Sequence, residues 1–160
     1  MADVSKKITG QHIKVAVFAI GNVEFALDIM QIKEIIKPIK ITVIPKAPRF
    51  IEGVINLRGG IIPIVDLRKR FGVKAAGAES AKERVIVTRL SRKIIGLIVD
   101  SVTDVISLDK KNISPPPEIV KGISSQFIKG VGKLDDRLIL LIDLDTILTA
   151  SERISLKESL

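Results

Sequence analysis

Residues 50–67 read FIEGVINLRGGIIPIVDL, and 77 positions further on residues 127–144 read FIKGVGKLDDRLILLIDL. Phe-Ile-x-Gly-Val opens both stretches and Asp-Leu closes both at the same spacing. A second pair, FALDIMQIKEII (25–36) and IGLIVDSVTDVI (95–106), aligns without a gap at an offset of 70, matching Leu27 with Leu97, Ile32 with Val102, Glu34 with Asp104 and Ile36 with Ile106. The offset grows by seven because the second half holds a longer connection, around Ser114-Pro115-Pro116-Pro117-Glu118. Lengthening a loop in this way costs little free energy. Two copies are too few for a solenoid, and a copy of about 65 residues is marginal alone. The duplication therefore predicts two pseudosymmetric lobes packed together, with a groove where they meet.

Within a copy the residues read as short strands. Ile13–Ile20 is apolar and β-branched, Gly21-Asn22 has turn chemistry, and Val23–Leu27 alternates, so the segment is a hairpin. Ile29–Ile36 satisfies helical and strand periods at once and is read as a single turn followed by a strand. Gly53–Leu57 and Ile61–Asp66 form a second hairpin about Arg58-Gly59-Gly60, with Pro63 marking an edge or a bulge. Leu67–Phe71, stopped by Gly72, is a terminal helical turn. The second copy repeats this order with Arg84–Leu90, Lys93–Val99, Val102–Leu108, Gly130–Leu134 and Leu138–Asp143. The small residues of 75–81 place the lobe boundary, giving a first lobe over 13–78 and a second over 79–148. Residues 1–12 are expected to be a flexible N-terminus, and Leu144–Glu158 to begin a closing helix, with 149–160 as the C-terminal helix or tail. Five strands per lobe, closed into small barrels to avoid exposed edges, make an all-β fold.

Composition narrows the function. The chain has 160 residues, 46% hydrophobic and 28% charged, which excludes wholesale disorder and fits one domain or two very small lobes. The 28 Ile and 15 Val, against five Phe and no Tyr or Trp, favour pleated structure. With no cysteine there is no disulfide scaffold, thiolate metal site or cysteine nucleophile. No apolar run is long enough to span a membrane or form a signal-peptide core, so no membrane insertion is expected, and a reducing cytoplasm is compatible with the lack of cysteine. The net charge of +8 divides as +6 over residues 1–80 and +2 over 81–160, densest at Arg68-Lys69-Arg70, which is read as a solvated helical face.

Catalytic machinery is not visible. The single histidine, His12, cannot serve both a triad and a metal, and Arg58-Gly59-Gly60 lacks the further glycines and lysine of a phosphate loop. Asp66 and Asp143 each close a strand before a helical segment, where an acidic cap is the ordinary role. No metal, cofactor or enzymatic activity is expected. A basic barrel that binds RNA or single strands is the alternative, but the aromatic platform for stacking bases is missing, and no nucleic-acid partner is expected.

The stretch 50–67, with Asn56-Leu57-Arg58-Gly59, Pro63 and Asp66-Leu67 at their spacing, resembles the signature of the CheW-like family of bacterial chemotaxis coupling proteins. Phe25–Ile36, Gly96–Leu108, Pro115-Pro116, Gly130 and Asp143-Leu144 match in family order, so the resemblance runs from about Val15 to Leu148. It implies two five-stranded SH3-like barrels side by side and an adaptor without enzymatic activity. Such adaptors link the cytoplasmic hairpin tip of chemoreceptors to the regulatory domain of the histidine kinase CheA in membrane-associated arrays. By that resemblance Ile32 and Glu34 fall at receptor-contacting positions and Arg58 at an arginine implicated in coupling. Ile32 also reads as core, and Glu34 with Arg58 as a structural ion pair. Ile29, Ile32, Val99 and Val102 are expected to line an inter-lobe groove for a receptor helix. The lobe ends, with Gly53, Asn56, Arg58 and Gly59 in the first and Gly130 and Asp135 in the second, are the expected kinase contacts. Lys37-Pro38-Ile39-Lys40 is more basic than the family pattern, and the second hairpin has Asp135-Asp136 in its turn where the first has Gly59-Gly60.

Overall fold

The computed structural model describes residues 11–47, 49–72, 80–90, 92–120 and 123–148. The first half supplies β1 (His12–Ile20), β2 (Val23–Asp28), β3 (Ile32–Ile36), β4 (Gly53–Leu57), β5 (Gly60–Asp66) and the helix α1 (Leu67–Phe71). The second supplies β6 (Arg84–Leu90), β7 (Lys93–Val99), β8 (Ser101–Asp109), the two-residue strands β9 (Ile113–Ser114), β10 (Ile119–Val120) and β11 (Ile123–Ser124), then β12 (Ile128–Leu134) and β13 (Arg137–Ile142). Ile29–Gln31 is a single 3-10 turn leading into β3, as its mixed periodicity implied. Arg58 and Gly59, at φ 52° and 83°, make the two-residue loop between β4 and β5. Positive φ at both positions gives the loop a twist that suits a hairpin. Asp66 caps α1 by accepting from the Arg68 amide, and Gly72 at φ 69° ends it. Asp143 caps a 3-10 turn, Leu144–Thr146, in the same way. That turn replaces the start of the expected closing helix, and 149–160 and 1–10 lie outside the described residues.

The strands form two large sheets, in the orders β8-β1-β2-β13-β12-β9 and β3-β6-β7-β5-β4. The linear division at residue 78 therefore does not follow the sheets. Each copy gives its first hairpin to the sheet of the other: β1-β2 joins β12-β13 through the parallel pair β2-β13, and β6-β7 joins β4-β5 through the parallel pair β5-β7. The chain crosses between sheets at Ile29–Gln31 and again at Asp100. A repeat in sequence does not reveal where its structural unit begins, and here the unit begins at the third strand. One barrel, β3 to β7, is continuous in the chain. The other is split around it.

Both barrels close alike. In the continuous barrel the chain beyond the edge strand β3 bends and Thr42 bridges Val54 of β4, with N···O distances of 2.8 and 2.9 Å. In the split barrel β8 turns through Lys110–Asn112 into β9, which pairs with β12. Pro63 lies in a central strand rather than at an edge. It is accommodated because the pairing of β5 with β7 starts only at Ile64.

Alternation along the strands builds three cores. Val15, Val17, Ala26, Leu108, Ile139 and Leu141 fill the split barrel, and Ile55, Ile62, Ile64, Val85, Val87 and Ile98 fill the continuous one. The intervening residues of the same strands, including Phe18, Phe25, Leu27, Val65, Ile86, Leu97 and Leu140, form a larger core between the barrels. The inner strands β1, β2, β5, β6, β7 and β13 are thus buried on both faces over most of their length, which is why their sequences are almost unbroken apolar runs. Phe18, Phe25, Phe71 and Phe127 run through this shared core with ring centroids 5.9, 5.1 and 5.3 Å apart. Thr88, fully buried beside it, donates its hydroxyl to the Ile95 carbonyl at 3.1 Å.

Candidate functional site

The edge strand β3 and the β4–β5 loop bring Glu34 and Arg58 together. Arg58 Nη2 lies 2.8 Å from Glu34 Oε1, and its Nη1 donates to Oε2, a bidentate pair. The pair holds the Glu34 carboxyl below its ordinary range, mainly through these hydrogen bonds. Arg58 remains largely exposed while Glu34 is half-buried. Asn56 supports the loop by accepting from the Gly59 amide at 3.1 Å. The site is therefore a guanidinium held upright beside an edge strand, with Ile35 exposed next to it.

The split barrel carries a counterpart. Asp104 on β8, the repeat partner of Glu34, accepts from Arg137 at 3.2 Å, and Arg137 also forks onto Glu24 of β2 at 2.9 and 3.0 Å. Arg137 holds the Asp104 carboxyl low, with help from the Thr103 hydroxyl at 2.8 Å. The neighbouring Val105 is exposed, as Ile35 is. This triad was not foreseen. The signal was the pairing of Glu34 with Asp104 in the repeat, but the arginine had moved two positions along its hairpin, so the alignment set Arg58 against Asp135.

The groove positions separate. Ile32 and Val102 are half-buried and pack on the edge of the shared core, and Ile29 is also half-buried. Val99 is fully buried in that core, so its side chain is not available to a partner. Among the lobe-end positions Gly53 and Gly130 are buried too. A Cβ on Gly53 would stand 2.5 Å from the Thr42 carbonyl oxygen, and one on Gly130 would stand 2.7 Å from Ile113 Cγ2. Both glycines serve barrel closure, each where the bent edge strand crosses its hairpin. Asn56, Arg58, Gly59 and Asp135 are exposed on the two hairpins.

Arg68, read from sequence as part of a solvated face, is instead four-fifths buried. It forks onto Asp66 at 3.0 Å and reaches Glu83 at 3.1 Å and Asp100 at 3.3 Å. Asp100 in turn accepts from the Gly21 amide at 2.7 Å and donates its own amide to the Ala19 carbonyl at 3.0 Å. The network therefore ties the β5–α1 corner of the continuous barrel to the first hairpin of the split one. Sequence reading missed it because its four side chains are dispersed between positions 66 and 100 and meet only through the crossover at Asp100.

Among the described residues no cluster of His, Asp and Glu fit to hold a metal occurs, and no helix is long and apolar enough to cross a membrane. Two packed barrels that present ion pairs, hairpin loops and edge-strand aliphatics on their exposed faces define a double β-barrel protein. The comparisons agree: the CheW-like domain family matches residues 14–152, and the chain belongs to that family. It is 35% identical over 153 residues to the chemotaxis protein CheW of Rhizobium meliloti (strain 1021), covering 96% of this chain and 98% of that one. It is 34% identical over 151 residues to the chemotaxis protein CheW of Thermotoga maritima, covering 92% and 93%. The structure of the scaffolding protein TtCheW from Thermoanaerobacter tengcongensis superposes with a TM-score of 0.80 at 40% identity, covering 88% of this chain and 90% of that one.

Proposed function

We propose that this chain is a chemotaxis adaptor that couples the cytoplasmic hairpin tip of chemoreceptors to the regulatory domain of the histidine kinase CheA. It works in the cytoplasm, recruited to membrane-associated arrays. The observation that carries the reading is the exposed Arg58 guanidinium, braced by Glu34 on an edge strand beside the half-buried Ile32. A side chain fixed in this way loses little freedom on binding, and the adjacent margin of the shared core offers Ile29, Ile32 and Val102 to the apolar ridge of a helix. The hairpin ends at Asn56–Gly59 and at Asp135, shaped by Gly53 and Gly130 beneath them, are the proposed kinase contacts. Calorimetry against a soluble receptor-tip hairpin and, separately, against the kinase regulatory domain tests the reading. Saturable binding to both supports it. Silence toward both, with salt-sensitive binding to single-stranded RNA, overturns it in favour of a basic nucleic-acid-binding barrel.

A further inference from the structure

The split of charge by sequence halves understates an asymmetry that the sheets expose. Residues 29–100, which hold the continuous barrel, carry 15 basic and six acidic residues, a net +9, whereas the rest of the chain carries 11 and 12, a net −1. The whole excess of positive charge sits on one of two barrels of like fold. Within it the segment 37–51 between β3 and β4 contains Lys37, Lys40, Lys46 and Arg49 and no acid. All four are exposed, and none makes an ion pair among the described residues. Ile39 and Val43 are exposed in the same segment, Val43 at 75%. The segment is held in place, because Thr42 is bonded both ways to Val54 and Ile41 packs on the barrel interior. At its end Arg49 enters a cavity of about 310 Å³ with Phe50, Lys69 and Arg70, where the carboxylates of Glu52 and Asp66 are already engaged by Lys69 and Arg68.

We infer that Lys37–Ala47, together with Arg49, is a docking surface for an acidic protein segment bearing aliphatic side chains. Unpaired cations supply long-range attraction and sign selectivity, and Ile39 and Val43 supply the short-range apolar contact. A held backbone lowers the ordering cost of binding. Exposed aliphatics with no free aromatic face favour a protein partner over a nucleic acid, since the Phe50 ring is already covered by the Arg70 guanidinium 5.9 Å from its centroid. The split barrel, lacking this surplus, does not share the property. The inference stands apart from the coupling role proposed above and does not depend on it.

The test titrates the full chain with a synthetic peptide alternating glutamate and leucine, beside an oligouridylate and vesicles of anionic lipid. Peptide binding is expected to weaken about tenfold as salt rises from about 50 to about 200 mM, as screening over a shorter Debye length requires. The double variant Lys37→Glu/Lys40→Glu should weaken it a further tenfold or more. The control Lys129→Glu/Lys133→Glu, on exposed positions of β12 in the split barrel, should leave it within twofold. Equal losses in both variants would overturn the inference by showing mere attraction to net charge. Absence of peptide binding at low salt would overturn it as well, as would tighter binding of the oligonucleotide or the vesicles than of the peptide.

Discussion

Arg58 sits at φ 52°, a left-handed conformation that costs a non-glycine residue about 1 kcal/mol, and it is kept there by its loop and by Glu34. Arg58→Gly should therefore leave the melting temperature within a few degrees, because relief of the backbone offsets loss of an exposed ion pair. Arg58→Glu should keep its β-sheet circular dichroism while abolishing receptor control of the kinase in a reconstituted phosphorylation assay. A collapse of that dichroism would assign Arg58 to the fold alone. Gly53 and Gly130, equivalent in the repeat, should respond differently. Gly53→Ala drives a methyl into a backbone carbonyl and should cost about 3 kcal/mol, while at Gly130 the nearest obstacle is the Ile113 Cγ2 methyl, which yields only if that β-branched side chain shifts as a whole, so Gly130→Ala should cost less but still destabilise. Chemical denaturation of the two variants side by side gives the comparison directly.

Edge strands and hairpins carry the ion pairs, and the pairs differ in how they respond to solvent conditions. Asp104 is held low by Arg137, so its contribution to stability is complete above the ordinary carboxylate range and is lost as pH falls through its lowered value. Asp104→Asn should accordingly flatten the fall in melting temperature below about pH 4. Arg68→Met leaves three carboxylates facing one another across the crossover and should cost about 3 kcal/mol at neutral pH. Hydrogen exchange reads the same event locally: the Gly21 amide, bonded to Asp100, should lose protection in that variant while amides inside the continuous barrel keep theirs. Strands β1, β2, β5, β6, β7 and β13 were legible in the sequence because they have one face toward a barrel interior and one toward the shared core, so their apolar runs are unmistakable. Arg68 was not legible, because a run of three basic residues on a one-turn helix looks the same whether it faces water or three acids.

The two-barrel plan was legible from the repeat, but the assignment of strands to barrels was not. FIEGVINLRGGIIPIVDL and FIKGVGKLDDRLILLIDL locate equivalent hairpins, yet nothing in them tells whether β1-β2 or β6-β7 lies alongside. That choice is made by the parallel pairs β2-β13 and β5-β7, which leave no mark in local sequence. A direct consequence concerns fragments. Residues 29–100 include every strand of the continuous barrel and should show strand dichroism when expressed alone, whereas 1–78 contains no complete barrel and should remain unfolded or aggregate. Reversal of that outcome would return the lobes to the linear halves.

The nesting of one barrel inside the other also sets a timetable for the nascent chain. The β1-β2 hairpin leaves the ribosome first, but its neighbours β12 and β13 leave last, after the whole of the continuous barrel. At usual elongation rates that interval is about ten seconds. During it Phe18, Phe25 and Leu27 have only the outer wall of the newly closed barrel to cover them. On that timetable the inserted barrel should serve first as a template that shelters an unfinished neighbour, before it becomes half of a finished molecule.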